Sequence, residues 1–318
     1  MKRAVIKGVG AYVPEKVLTN KDLEELMDTS DEWITTRTGI HERRIIGEEE
    51  DTSFLGYQAS LQALKDAHLK AEDIDMLIVA TETPDHMFPP VAVRLQHLLK
   101  CRQIGAFDIH STCVGFLTAL QTAEQYIKMG KVKHVLVVGA DALSKIVDYS
   151  DRSTAILFAD GAGAFIVSAE ESDESRGIID STIHSDGQHY YDLYVESGGS
   201  KESPQIVMNG NKIFKLAVSA MSQNVKMITE QNNLLLNEVD WLIPHQANQR
   251  IIDAVGRNLE FPEKKVISTI KYFGNNSAAT IPLAFTTALQ DGRINKGDTI
   301  VMTAFGGGLI WGTVLLQY

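Results

Sequence analysis

Cysteine is nearly absent from the 318-residue sequence: only Cys101 and Cys113 occur. They form no CxxC pair and match no Cys/His ligand spacing, so a disulfide scaffold is excluded and no metal site is expected. No apolar run approaches the roughly 18 residues of a membrane span. Lys2, Arg3 and Lys7 open the chain without the apolar segment of a signal peptide. These absences predict a reducing, cytoplasmic compartment and no membrane partner. Positive charge is also scarce, with 30 Lys and Arg against 41 Asp and Glu, a formal net charge of -11. No basic run is long enough to follow a phosphate backbone, so nucleic acid is not an expected partner. The acidity itself reads as solubility, and an acidic partner would need a local basic patch.

What remains is ordinary for a globular chain: 44% hydrophobic and 22% charged residues, with length enough for about two domains. Short apolar runs rich in Val and Ile alternate with segments of helical spacing. Met76 to Ala80 precedes Val91 to Leu99, and Phe116 to Ile127 precedes Val135 to Gly139. This is an α/β pattern. The most polar stretch, Glu170 to Arg176, reads as a seam, and the order of elements before it returns after it. Asp75-Met76-Leu77-Ile78 is echoed by Asp240-Trp241-Leu242-Ile243, and Ile78 lies 61 positions before Gly139, as Ile243 lies 61 before Ala304. After Ile243 the pattern gives a helix at Ile251, strands at Val266 and near Ile270, a turn at Asn275 and a helix from Ile281. Two similar βαβαβ halves, residues 1–172 and 173–318, are therefore expected, packed about a pseudo-dyad. The turns at Cys113 and Asn275 would then face one another, where strand ends commonly form a ligand site.

Four places could carry chemistry. Cys113 follows a strand and opens a helix whose Phe116, Leu117, Leu120 and Ala123 share a face. Helix N-terminal N–H groups favour a thiolate, so a lowered thiol pKa is expected, although a buried structural thiol fits the same position. His245 lies at a second strand-to-helix junction, where imidazolium is disfavoured and a neutral donor ring is expected. Asn275, in Gly274-Asn275-Asn276-Ser277-Ala278-Ala279, could be a donor or simply an Asx turn with a helix cap. Gly306-Gly307-Gly308 directly follow a strand, which implies close approach to the backbone and N–H groups able to hold an oxyanion. Asp160-Gly161-Ala162-Gly163 lacks the third glycine of a dinucleotide fingerprint and runs into an apolar strand, so a dinucleotide fold is rejected.

Taken together, Cys113, Pro244-His245-Gln246-Ala247-Asn248, Gly274 to Ala279 and Phe305-Gly306-Gly307-Gly308 resemble the β-ketoacyl-[acyl-carrier-protein] synthase III family of thiolase-like condensing enzymes. The resemblance runs from Gly10-Ala11-Tyr12-Val13-Pro14 through Thr29 to Ile34 and Arg37 to Ile40, and ends at Trp311-Gly312. It implies a thiolase-like fold with five αβαβα layers, usually a homodimer, and an acyltransferase that needs no cofactor because acyl-CoA is a substrate. It implies Cys113 as the acylated nucleophile, His245 and Asn275 as donors during decarboxylation of malonyl-acyl carrier protein, and Cys113 and Gly307 N–H groups as the oxyanion hole. It further implies coenzyme A contacts at Trp33, Arg37 and Arg152. Carrier-protein contacts would fall at Lys215, Gln246, Arg250 and Arg257, and acyl-pocket residues at Phe88 and Phe158. The chain departs from the family at His110, where small residues are usual, at Asn276, where Thr is common, and over Gln188 to Asp192.

Rival readings have less behind them. Degradative thiolases need a second cysteine in the glycine loop, and elongating synthases a second histidine where Asn275 stands. A papain-like hydrolase shares the order Cys, His, Asn but not the repeat or the disulfides. A condensing enzyme of polyketide or secondary metabolism and a non-catalytic acyl-binding homologue are the alternatives within the fold.

Overall fold

The computed structural model describes residues 2–171, 176–196 and 205–318. Two sheets carry the fold. The first orders its strands Lys2–Tyr12, Asp160–Glu171, His134–Ala142, Met76–Ala80 and Gly105–Ile109. Its last three are mutually parallel and its first two join antiparallel. The second runs Gly177–Ser185, Ile310–Gln317, Thr299–Gly306 and Trp241–Pro244 in the same sense. Beyond Trp241–Pro244, in the place of a fifth strand, Leu242 makes one parallel bridge to Val266. The strand expected at Val266 is thus a single bridge. The segment near Ile270 is a helical turn, Ile270–Phe273. Only Ile270 of those four residues is buried, so one contact point and no alternating face is needed.

Every residue of Met76–Ala80 and of His134–Ala142 is buried. That is what parallel strands with helices on both faces require, and it explains why these runs do not alternate. Helices Thr52–Asp66 and Val91–Leu99 cover the outside of the first sheet. Helices Gly210–Gln231 and Gln249–Asn258 cover the second. Between the sheets lie Gly115–Lys128 and Thr280–Gln290, whose buried faces merge into one core. The result is the five-layered αβαβα order.

The central layer is held by shape as well as by burial. Phe116, Phe165 and Phe285 form an edge-on chain with ring centroids 4.9 Å apart at each step, which adds about 0.5–1.5 kcal/mol per pair beyond area. A side chain on Gly139 would come within 2.6 Å of the Ala278 carbonyl, and one on Gly163 within 2.6 Å of Pro282. These glycines let the second half's central helix lie directly on the first half's sheet. Gly161 and Gly163 are therefore strand residues with a packing duty.

The seam from Glu170 to Arg176 includes residues 172–175, so the boundary at 172/173 lies outside the described residues. The strands on either side, Asp160–Glu171 and Gly177–Ser185, belong to different sheets. Among the described residues no helix is long and apolar enough to cross a membrane.

Candidate active site

The nucleophile candidate sits where the first half's edge strand meets a central helix. Thr112–Val114 form a short 3-10 turn that runs into the helix Gly115–Lys128. Thr112 has φ +46°, a conformation a β-branched residue rarely adopts. Its N–H donates to Glu82 Oε1 at 2.6 Å and its hydroxyl to the Gly307 carbonyl at 3.3 Å. The second half repeats the device: Ser277–Ala279 form the 3-10 turn ahead of Thr280–Gln290, and Ser277 has φ +47°. The interval from Thr112 to Ser277 equals that from Asp75 to Asp240. The two turns are equivalent, as the repeat implied. Residue for residue, however, Cys113 pairs with Ala278, and Asn275 with His110.

Cys113 is half-buried and opens onto a cavity. Burial pushes its thiol up to about 12; a hydrogen bond with Ser277 works the other way, and the carboxylates of Asp141 and Glu82 add to the rise. The lowered thiol expected from the helix terminus is not found, because desolvation outweighs the helix end. Asp141, missed in the sequence, is buried beneath this turn. Its Oδ1 accepts from Thr81 Oγ1 at 3.1 Å, Glu82 N at 2.7 Å and Thr83 Oγ1 at 3.1 Å, and its Oδ2 from Ala278 N at 3.3 Å. Burial pushes its carboxyl up to about 6. An acid inside the apolar run Val135 to Ala142 was the available signal.

His245 follows the strand Trp241–Pro244, and its N–H donates to the Thr303 carbonyl at 2.8 Å. Its Nδ1 lies 2.7 Å from Thr280 Oγ1. With that hydroxyl donating, Nε2 keeps its proton and can donate to a ligand. Burial lowers the imidazole to about 3, so it is neutral at physiological pH. Asn275 is held by backbone bonds to Leu157 and Ala159, and its Oδ1 accepts from Ser277 N at 3.0 Å. Its oxygen thus closes the expected Asx turn, with no side chain capping the helix that follows, and that turn occupies no amide N–H.

Cys113, His245, Asn275 and Gly307 all line one cavity of about 530 Å³, whose apolar walls include Phe158, Leu193, Ile206 and Met221. A thiol, a neutral imidazole and a carboxamide on one mainly apolar cavity can take up an acyl group and stabilise negative charge beside it.

Other expected residues fall around it. Trp33 has the guanidinium carbons of Arg37 and Arg152 at 4.6 and 4.5 Å from its ring centroid. It packs on the same apolar cluster as the cavity residues Leu143, Ile146 and Phe158. Lys215, Arg250 and Arg257 are exposed. Arg250 stands 5.6 Å over the ring of Phe214, itself a cavity residue. Two of the expected residues stand away from the cavity lining. Gln246 is buried, with its amide bonded to the Pro244 and Ile267 carbonyls and to Thr269 N, so it offers nothing to a docking protein. Phe88 is 78% exposed and does not line the cavity of its own chain, because the segment that bears it turns outward.

A pseudo-dyad αβαβα fold with this cysteine, histidine and asparagine on a shared cavity defines a thiolase-like condensing enzyme. The chain belongs to the β-ketoacyl-[acyl-carrier-protein] synthase III family. The family model for 3-oxoacyl-[acyl-carrier-protein] synthase III matches residues 107–187, and the model for its C-terminal part matches residues 229–318. The chain is 49% identical to the β-ketoacyl-[acyl-carrier-protein] synthase III of Geobacillus kaustophilus over 99% of both chains. It is 46% identical to that of Xylella fastidiosa over 99% of this chain and 98% of the other. The solved 3-oxoacyl-[acyl-carrier-protein] synthase III of Aquifex aeolicus superposes with a TM-score of 0.95 at 45% identity, covering 99% of this chain and 100% of that one.

Proposed function

We propose that this protein initiates fatty-acid synthesis by decarboxylative Claisen condensation of an acyl-CoA primer with malonyl-acyl carrier protein. The observation that carries the reading is the convergence of Cys113, His245, Asn275 and Gly307 on one cavity. In the first half-reaction the Cys113 sulfur attacks the thioester carbonyl of acyl-CoA. The bond to coenzyme A breaks, and the thiol proton leaves with the coenzyme A sulfur, so acyl-enzyme and free coenzyme A are formed. The N–H groups of Cys113 and Gly307 are the donors we assign to the tetrahedral oxyanion. In the second half-reaction the malonyl group loses CO₂, and charge collects on its thioester oxygen. Two uncharged donors, His245 and Asn275, suit that oxygen, and one such donor is worth about 10²- to 10³-fold in rate. The carbanion equivalent attacks the acyl carbon, the bond to Cys113 breaks, and a proton taken up by the sulfur restores the thiol. The product is a 3-oxoacyl-carrier protein.

Trp33, Arg37 and Arg152 are the coenzyme A contacts we assign: an aromatic face for adenine and two cations for phosphate. Lys215, Arg250 and Arg257 supply the local basic patch that an acidic carrier protein needs on a chain of net charge -11. The chemistry calls for no cofactor. A homodimer is part of the proposal: Gly105–Ile109 is an edge strand of the first sheet, and Met87 and Phe88 are 94% and 78% exposed, a surface a second copy would cover. The cytoplasm is the compartment we propose, consistent with two free cysteines. Full-length identity of 49% to a β-ketoacyl-[acyl-carrier-protein] synthase III favours this reading over the polyketide and non-catalytic alternatives.

The test is to incubate the protein with a panel of acyl-CoAs and weigh it intact. An acyl mass gained by the native chain and absent from Cys113→Ala, then discharged as 3-oxoacyl-carrier protein when malonyl-carrier protein is added, is the expected result. No adduct with any acyl-CoA would overturn the reading.

A further inference from the structure

The acidic residue closest along the chain to the strand Met76–Ala80 on its carboxyl side is Glu82, and it enters the catalytic cavity. Its backbone N–H is fixed by Asp141 Oδ1 at 2.7 Å. Its two carboxylate oxygens have different partners. Oε1 accepts from Thr112 N at 2.6 Å, and Oε2 lies 3.3 Å from His110 Nδ1. We propose that Glu82 is a positioning residue for the Cys113 nucleophile, one oxygen holding the Thr112 backbone and the other held by His110.

The physical need for such a residue is local. Thr112 is β-branched and left-handed at φ +46°, so its backbone must be held from outside. A carboxylate on its N–H is a charge-assisted bond, stronger than a neutral one. Thr112 also donates its hydroxyl to the Gly307 carbonyl. By fixing one residue, Glu82 therefore fixes the turn that aims Cys113 and the glycine loop beside it. His110, whose role the sequence leaves open, keeps the second oxygen from swinging into the cavity.

Charge gives the arrangement a second consequence. Glu82 is faced by His110, by the Cys113 thiol and by the buried Asp141, while Asp108 and Asp141 also face His110. The neutral His245 stands on the same cavity. A negative Glu82 opposes thiolate formation at Cys113, and its hydrogen bond holds His110 above the usual histidine range. Positioning and charge are separable by substitution. Glutamine can still accept from Thr112 N and donate to His110 Nδ1 without the charge, whereas alanine loses everything.

The inference rests on Cys113 being the nucleophile. Its test measures two rates on native, Glu82→Ala and Glu82→Gln proteins by intact mass: acylation by acyl-CoA, and alkylation by iodoacetamide across about pH 6 to 10. Glu82→Ala should lose about ten- to a hundredfold in acylation. Glu82→Gln should keep most of it, and its alkylation profile should move to lower pH. An alanine variant as fast as native, a glutamine variant as slow as alanine, or an unmoved profile would each overturn the proposal. If the alanine variant fails to fold, as judged by circular dichroism, the glutamine profile decides. Alkylation needs no acyl-CoA, so a native chain that never acylates sinks the proposed function without touching this result.

Discussion

The hydroxyl of Thr112 occupies the space that a side chain on Gly306 would need, and the N–H of Cys113 lies 3.0 Å from the same point. The two residues come from opposite halves of the fold, one from the turn before the first central helix and the other from the end of Thr299–Gly306. The first glycine of the Gly306-Gly307-Gly308 run is thus explained by steric necessity, since the nucleophile turn is pressed against it. Gly307 is similar: a side chain there would come within 2.6 Å of the Leu193 carbonyl.

Gly306→Ala should therefore displace Thr112 and, with it, Cys113. Overpacking of this kind costs about 1–3 kcal/mol, and a misplaced nucleophile loses rate steeply, by up to about 10²-fold for a 1 Å shift. Acylation measured by intact mass should fall by at least tenfold while circular dichroism stays native. Unchanged acylation would mean that the contact is slack.

The thiol of Cys113, pushed up to about 12 by burial and by the carboxylates of Asp141 and Glu82, should be almost entirely protonated in the free enzyme at neutral pH. Iodoacetamide should alkylate it slowly at pH 7 and progressively faster to pH 10, with no plateau near pH 8. The Ser277 hydrogen bond works against the rise, so Ser277→Ala should slow alkylation further at every pH. A plateau below pH 8 in the native protein would show that the helix terminus governs the thiol after all.

The core elements were legible because hydrophobic runs have lengths and periods that only strands or helices satisfy. Val91 to Leu99 is a helix over the same residues, and Val135 to Gly139 lies inside a strand. Cys113, His245 and Asn275 stood out as polar residues at strand-to-helix junctions. The residues that hold them did not. Asp141 reads along the chain as a strand end, and only the fold brings Thr81, Thr83 and Ala278 to it. Gln246 looked available because it neighbours His245, yet three backbone groups from two segments consume its amide. Burial of a polar residue by long-range partners leaves no period in the sequence, which is why Gln246 looks available; for Asp141 the one signal along the chain is an acid inside an apolar run.

His245 should make the protein sensitive to acid. Its folded pKa of about 3 lies below the unfolded value of about 6.5, so the unfolded chain binds the proton more readily. Stability from keeping the ring neutral is fully present above pH 6.5 and is lost as pH falls toward 3, by up to about 1.4 kcal/mol per pH unit. His245→Asn removes this proton uptake. Urea midpoints taken from pH 7 down to pH 4 should fall less steeply for the variant than for the native chain; parallel slopes would argue that the imidazole is already charged in the fold.

Arg250→Glu tests whether the two substrates use separate surfaces. Arg250 is exposed over Phe214, on the outer side of a cavity wall, whereas the Trp33, Arg37 and Arg152 cluster is built from other segments. Charge reversal puts a like charge against an acidic carrier protein, which weakens encounter at low salt. It leaves untouched the aromatic and cationic contacts assigned to coenzyme A. The KM for malonyl-carrier protein should rise by about tenfold or more, while acylation of Cys113 by acyl-CoA proceeds at the native rate. Trp33→Ala should do the reverse, slowing acylation at limiting acyl-CoA and sparing condensation once the acyl-enzyme is formed. If Arg250→Glu slowed both half-reactions equally, the patch would be part of the cavity's architecture and the carrier protein would have to dock elsewhere.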